Sequence, residues 1–279
     1  MREITPTETY LLRGREIHVK RDDLMGDNIE YPAWGKLTGI RNVLRSKKVN
    51  KNQPLIHLGV FGSFSGWALA KLCTEEDIEF IMAYPDSKNF PEMMIEKVRE
   101  AGCDVLPLKP NMMSFMSNKL GSIAKEKGYQ RLPYAFDCIE YHNTLAQRYK
   151  DVVEEHGEFD ILVVSSGAGV TCIGLMKEHS PGPNLFDNRR KMFYTVYMST
   201  DTTITKKFQN EGFSVCNEIV IKKAYYDFND PMEWYEVPFP CNEHWDKKCW
   251  HWLHDNIERI PEGRILFWNL GGHILWDTK

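Results

Sequence analysis

One lysine stands where chemistry explains it better than solubility does. In 31-YPAWGKLTGIRNVL-44, Lys36 follows Gly35 and opens an amphipathic pattern in which Leu37, Ile40, Val43 and Leu44 share a helical face. Gly35 is read as the residue that lets the chain turn sharply into that helix. The positive end of a helix dipole disfavours a cation. It suits an amine that must be uncharged to attack a carbonyl carbon, because burial and positive potential both lower a lysine pKa. The ordinary alternative is a lysine whose stem lies on apolar neighbours and whose charge stays in water.

Other segments offer binding groups. In 159-FDILVVSSGAGVTCIGL-175 a hydrophobic strand runs through small residues into a helix. The backbone amides of such a loop make an anion site, and Ser166 and Thr171 add hydroxyl donors. A tight turn that needs glycine for packing is the other reading. GxxxxGK[ST] is absent, and GxGxxG is incomplete because Cys172 stands at its last position. In 58-LGVFGSFSGWALA-70, Gly62, Ser63, Ser65 and Gly66 suit a carboxylate, or form a plain strand-to-helix turn. Cys241, His244, Cys249, His251 and His254 invite a metal, but their spacing is poor for a closed tetrahedral site and no metal is expected. Asp22 and Asp23, in 20-KRDDLMGD-27, read as a solvated or structural turn.

Regular elements must hold these groups in place. Strands are expected within 15–26, through Ile17 and Val19, and at 54–60, 78–84, 103–108, 159–166, 192–198 and 264–270. Helices are expected from Lys36 and over 67–73, 91–102, 114–128, 143–157, 167–179, 200–212 and 245–257. Pro91 suits a first helical position. Residues 181–190 read as a loop and 224–245 as irregular. Alternating strands and helices predict an α/β fold with parallel sheets.

The 279 residues, 42% hydrophobic, suffice for one large domain or two modest ones. A net charge of −4 gives no global drive towards nucleic acid. The polar start, the absence of a long apolar run and the scattered cysteines predict a reduced, cytoplasmic protein.

Taken in order, 5-TPTE-8, 19-VKRDDLMG-26, Gly35-Lys36, 59-GVFGSFSGWALA-70, 165-SSGAGVT-171, 240-PCNE-243 and 267-FWNLGG-272 resemble the fold-type-II pyridoxal-phosphate (PLP) enzymes, the tryptophan synthase β-like superfamily. Within it the likeness is to 1-aminocyclopropane-1-carboxylate deaminase and D-cysteine desulfhydrase. The resemblance implies pyridoxal 5′-phosphate as cofactor and Lys36 as its Schiff-base lysine. It implies that Ser63 meets the substrate carboxylate. Ser166, Gly167, Ala168, Gly169, Val170 and Thr171 would cradle the cofactor phosphate. Glu243 would contact the pyridine nitrogen, with Gly271 and Gly272 near the ring. The implied reaction is elimination, deamination or decarboxylation of an amino-acid-like substrate, the cofactor acting as an electron sink. A homodimer is implied as well.

The sequence departs from the family pattern at several points. The usual Ser-Asn pair is Ser63-Phe64 here, and the usual Tyr-Glu pair is Asn242-Glu243. Tyr225 or Tyr226 would have to supply the missing tyrosine. The segment 133-PYAFDCIEYHN-143 lacks the family's glycines. One version of the resemblance is the divergent phage enzymes that build hypermodified pyrimidines, whose substrate is an amino-acid group on a nucleotide or on DNA. Trp245, Trp250, Trp252, Lys247, Lys248 and 45-RSKK-48 would serve a polymeric substrate, or be core and solvated face. A non-catalytic PLP- or phosphometabolite-binding descendant is another reading. A nicotinamide oxidoreductase rests on the Gly167–Gly169 turn alone. The expected organisation is a large PLP-binding domain of residues 1–45 plus 155–279 and a small inserted α/β domain of residues 46–154, with the cofactor in the cleft at the carboxyl ends of strands.

Overall fold

The computed structural model describes residues 1, 4–88, 90–183, 190–197, 201–213, 218–223 and 230–273. The strands, in chain order, are β1 (Thr7–Leu12), β2 (Arg15–Arg21), β3 (Leu55–Leu58), β4 (Phe80–Pro85), β5 (Asp104–Leu108), β6 (Gln130–Arg131), β7 (Ile161–Ser166), β8 (Gly182–Pro183), β9 (Arg190–Tyr197), β10 (Ile219–Lys223) and β11 (Ile265–Asn269). The helices are α1 (Leu37–Leu44), α2 (Ser65–Glu75), α3 (Glu92–Glu100), α4 (Met113–Lys127), α5 (Ile139–His156), α6 (Val170–His179), α7 (Asp201–Asn210) and α8 (Asp246–Asn256). Contacts divide the chain into two compact units. Among the described residues, the first comprises those of Met1–Gly26, Ala33–Gly35 and His142–His273, and the second those of Asp27–Pro32 and Lys36–Tyr141.

The first unit is built on a sheet of order β1-β2-β11-β7-β9-β10. Its inner strands are parallel, which is why β7, ILVVSS, and β11, ILFWN, are buried along their whole length. The antiparallel β1–β2 hairpin closes one edge. Sequence reading passed over β1 because TETYLL alternates weakly, with Leu11 facing solvent. It also passed over β10, whose lysines obscure a short parallel edge strand. Helix α8 lays Cys249, Trp250, Trp252 and Leu253 on this sheet, with Trp250 edge-on to Phe267 and Phe239. The second unit carries a parallel sheet of order β5-β4-β3-β6, with α2, α3 and α4 packed on it. Pro91 sits one residue before α3 rather than inside it.

Asp22 and Asp23, in 20-KRDDLMGD-27, are structural and buried. They form a 3₁₀ turn, Asp22–Met25, directly after β2. Asp22 is 0% exposed and accepts hydrogen bonds from Thr5 Oγ1 (2.7 Å), Trp268 Nε1 (2.7 Å) and Arg148 Nη2 (2.5 Å). Asp23 takes a bidentate pair from Arg21 and a third bond from Asn269. Buried carboxylates are tolerated on those terms, each paired and fully hydrogen-bonded.

This cluster explains Gly35. A Cβ there would lie 2.6 Å from Asp22 Cβ and 3.2 Å from the Leu270 carbonyl, which accepts the Gly35 N–H at 2.6 Å. Close approach, rather than a tight turn, excludes a side chain. Residues 33–35 thus pair with 270–272, through the Trp34–Gly271 bridge and the Gly272 N–H to Ala33 bond. Gly35→Ala is expected to cost about 2–4 kcal/mol in urea unfolding, through overpacking against backbone. Gly121→Ala, whose Cβ would meet only an Arg131 guanidinium nitrogen at 3.3 Å, is expected to be neutral or stabilising.

Candidate active site

In the first unit, β7 delivers Ser165 and Ser166 to its carboxyl end, and the chain turns through Gly167-Ala168-Gly169 into α6. Gly169 has φ +75°, and a Cβ on Gly167 would strike the Trp245 ring at 2.8 Å. Small residues are therefore required twice, once for conformation and once for space. The first-turn amides of α6 have no acceptor within the helix. The Ser166 hydroxyl is buried with no hydrogen-bond partner among the described residues, an anomaly for a native polar group unless a ligand completes it. Thr171 lies in the same first turn and is 5% exposed.

Parallel registry brings a second loop to this edge. Trp268 aligns with Val164, so Asn269 to Gly271 leave β11 beside Ser165 and Ser166. Asp246, in the first turn of α8, ties the two loops together. It accepts from Ser165 Oγ at 2.5 Å and from the Gly271 amide at 3.0 Å. Burial lifts its carboxyl to about 7, against the hydrogen bonds from Ser165, Gly271 and Leu270, which pull it down. Sequence reading missed Asp246; its position among Trp245, Lys247 and Lys248 looked like a helix rim.

Glu243 is 1% exposed and pairs with His273. Asn242, where the family pattern has a tyrosine, has a structural task. Its side-chain oxygen accepts the His244 N–H at 2.9 Å, its amide donates to Gly271 O at 2.8 Å, and its carbonyl accepts the Lys247 amide. Tyr225 and Tyr226 lie outside the described residues. Cys241 and Cys249 are core thiols whose pKa values burial pushes up. Trp250, Trp252 and Lys248 are buried too, so the aromatic and basic character of 245–252 is core rather than an exposed face for a polymer.

The second unit holds Lys36 and Ser63. Lys36 caps α1 with helical backbone angles, and its Nζ lies 5.7 Å from the centre of the Tyr141 ring. Tyr141 can approach only because Gly39 has no side chain; a Cβ there would sit 2.5 Å from that ring. His57, on β3, is 5% exposed and stacks on Phe136 at 5.1 Å. Burial first, then the charges of Arg131 and Lys36, lower its pKa to about 4, so it is neutral near pH 7. Phe136 and its neighbour Ala135 adopt positive φ, 64° and 54°, in the segment where the family pattern has glycines.

Ser63 lies in the turn between β3 and α2, where Gly62 has φ +70° and the Ser63 hydroxyl accepts the Ser65 N–H at 3.3 Å. The Ser65 hydroxyl, at the first residue of α2, is buried without a partner among the described residues. Phe64, in place of the expected asparagine, is 1% exposed and packs edge-on to Trp67, so that position contributes core rather than a polar contact.

No protein-family model matches the chain. A curated relative from Pseudomonas phage M6, a glycyl-dTMP PLP-dependent decarboxylase, is 25% identical over 280 residues, covering 96% of this chain and 98% of its own. Among solved structures, a homologue of ACC deaminase superposes with a TM-score of 0.73 at 16% identity, covering 99% of this chain and 90% of its own. A PLP-dependent aspartate racemase superposes with a TM-score of 0.69 at 12% identity, covering 98% and 92%.

The raised Asp246 pKa has a consequence for stability. Between the unfolded value near 3.8 and the folded value near 7, the native state holds a proton that the unfolded chain has lost. Stability attributable to this group therefore falls as pH rises through that window, by on the order of a few kcal/mol. Asp246→Asn is expected to lose that slope in denaturant midpoints measured from pH 4 to 7; an unchanged slope would contradict the assignment.

Proposed function

We propose that this chain, whose fold is that of the fold-type-II PLP-dependent enzymes, breaks a bond at the α-carbon of an amino-acid group carried on a thymidine nucleotide, with decarboxylation as its reaction. The cofactor is pyridoxal 5′-phosphate. The observation that carries this reading is the Ser166 hydroxyl, buried at the mouth of α6 with no partner among the described residues. With the loop amides and the small residues that keep the loop open, it fits a phosphate dianion. The full-length similarity to the phage decarboxylase supports the reaction and the substrate class.

Bound pyridoxal phosphate withdraws electrons from the substrate α-carbon. The residues of the chain do the rest. Ser166, Thr171 and the amides of 167–171 hold the phosphate. Glu243 would be the carboxylate for the pyridine nitrogen, with the His273 ring beside it. Lys36 would hold the cofactor through Nζ, and its amine would hold or move a proton at the substrate α-carbon. The Tyr141 ring beneath Lys36 and the neutral His57 nearby limit water around that amine without adding a competing charge. Ser63 and Ser65, at the start of α2, are the donors for the substrate carboxylate, the group that departs as carbon dioxide.

Titration with pyridoxal phosphate, followed by absorbance, tests the cofactor site. Wild type should develop a visible band that Lys36→Ala abolishes, and Ser166→Ala should weaken cofactor affinity about tenfold. Full affinity in Ser166→Ala would contradict the cradle. Mass spectrometry of the product from a glycyl-thymidylate should show loss of carbon dioxide; release of ammonia or of an unsaturated fragment would replace decarboxylation with elimination.

A further inference from the structure

Among the described residues of the first unit, Asp22, Asp23 and Asp246 are the buried aspartates, and they are not alike. Asp22 is paired with Arg148 and Asp23 with Arg21. Asp246 is 1% exposed, and no arginine, lysine or histidine pairs with it among the described residues. Its partners are neutral donors: the Ser165 hydroxyl at 2.5 Å, the Gly271 amide at 3.0 Å and the Leu270 amide. The groups that face it do not compensate. Asp23, from the turn after β2, is a further negative charge, and Cys241 and Cys249 are thiols that burial keeps neutral. Lys247 and Lys248 follow it on α8 without an ion pair to it. The first turn of α8 favours an ionised carboxylate, but a buried charge without a cation costs more than that end effect stabilises.

Asp246 borders the loop proposed to hold the phosphate through two contacts. Ser165, its partner, directly precedes Ser166, and Trp245, its chain neighbour, packs on Gly167. An ionised Asp246 and a phosphate dianion would face each other across this buried stretch, where charges are poorly screened. As an acid, Asp246 removes that repulsion and keeps the bridge. Oδ2 still accepts the Gly271 N–H, and the proton lies in the contact between Oδ1 and Ser165 Oγ. Burial pushes the carboxyl up to about 7, so the neutral form predominates below that pH and is lost as pH rises through it.

We propose that Asp246 is a positioning residue for the cofactor phosphate: it bridges Ser165 and Gly271 as a neutral acid, and its carboxylate takes up a proton from solvent when the dianion enters the loop. The proposal rests on the cofactor reading above and adds the proton that accompanies binding. The coupling is reciprocal. The bound dianion holds the proton on Asp246 to higher pH, and loss of that proton weakens binding of the dianion.

The test is equilibrium binding of pyridoxal phosphate, and of pyridoxal as the probe without a phosphate, to wild type, Asp246→Asn and Asp246→Ala. Asparagine keeps the shape and the hydrogen bonds of the neutral acid and cannot ionise. From about pH 6 to about pH 8.5, wild-type affinity for pyridoxal phosphate should fall about tenfold relative to Asp246→Asn. Pyridoxal affinity should follow one pH course in both proteins. Asp246→Ala, which lacks the bridge, should bind pyridoxal phosphate about tenfold more weakly than Asp246→Asn. Calorimetry of the wild type in buffers of different ionisation enthalpy decides the matter even where a variant does not fold. Near about pH 8, pyridoxal phosphate should draw a larger fraction of a proton into the complex than pyridoxal does. Parallel pH courses for pyridoxal phosphate in wild type and Asp246→Asn, or equal proton uptake with the two probes, would overturn the coupling and leave the cofactor reading standing. Equal affinity in Asp246→Asn and Asp246→Ala would overturn the bridge. A wild-type-to-Asn difference of the same size with pyridoxal would overturn the link to the phosphate. No binding of pyridoxal phosphate to wild type at any pH would overturn the cofactor reading itself.

Discussion

The buried carboxylate of Asp22 is the constraint on which the first unit is organised. It has no water to solvate it, so three donors from separate parts of the chain must stay in place: Thr5 ahead of β1, Arg148 on α5 and Trp268 on β11. Removing one partner of such a buried pair costs about 3–5 kcal/mol. Arg148 also donates to the Gly35 carbonyl at 3.5 Å, and the Asp22 side chain fills the space a Gly35 side chain would need. The residue before Lys36 is thereby fixed by charge, sterics and a backbone bond to Leu270 at once. The start of α1 follows directly along the chain from that fixed point.

The same economy shapes the loop proposed to hold the phosphate. Parallel strands end at one edge, so β7 and β11 release Ser166 and Gly271 side by side. Asp246 bridges the loops, and Trp245 packs against Gly167. These contacts hold the amides and the Ser166 hydroxyl in place ahead of any ligand, so that little ordering is left for binding to supply. In the second unit the turn before α2 also combines a glycine at positive φ, Gly62, with a buried serine hydroxyl, Ser65, although there the serine follows the glycine and opens the helix.

Much of this was legible in the sequence. Fully apolar runs such as ILVV, followed by glycines and a helical pattern, marked β7 and α6, and the order of motifs carried the fold. Three kinds of information were not legible. Weakly alternating or lysine-rich edge strands, β1 and β10, have no clear pattern because they are stabilised by their neighbours. The reason for Gly35 lies in Asp22 and Leu270, distant in sequence. Asp246 looks like an ordinary charged residue of an amphipathic helix; only its burial and its bonds to two loops distinguish it. The departures at Phe64 and Asn242 were visible, but their meaning was not. One side chain fills a core and the other holds a turn.

The central claim is that Lys36 carries the cofactor. The direct measurement is borohydride reduction of the PLP-loaded protein, followed by digestion and peptide mass spectrometry. The account predicts a pyridoxyl group on the peptide containing Lys36 and on no other lysine. A modification placed elsewhere, on Lys247 for instance, or absent altogether, would contradict it.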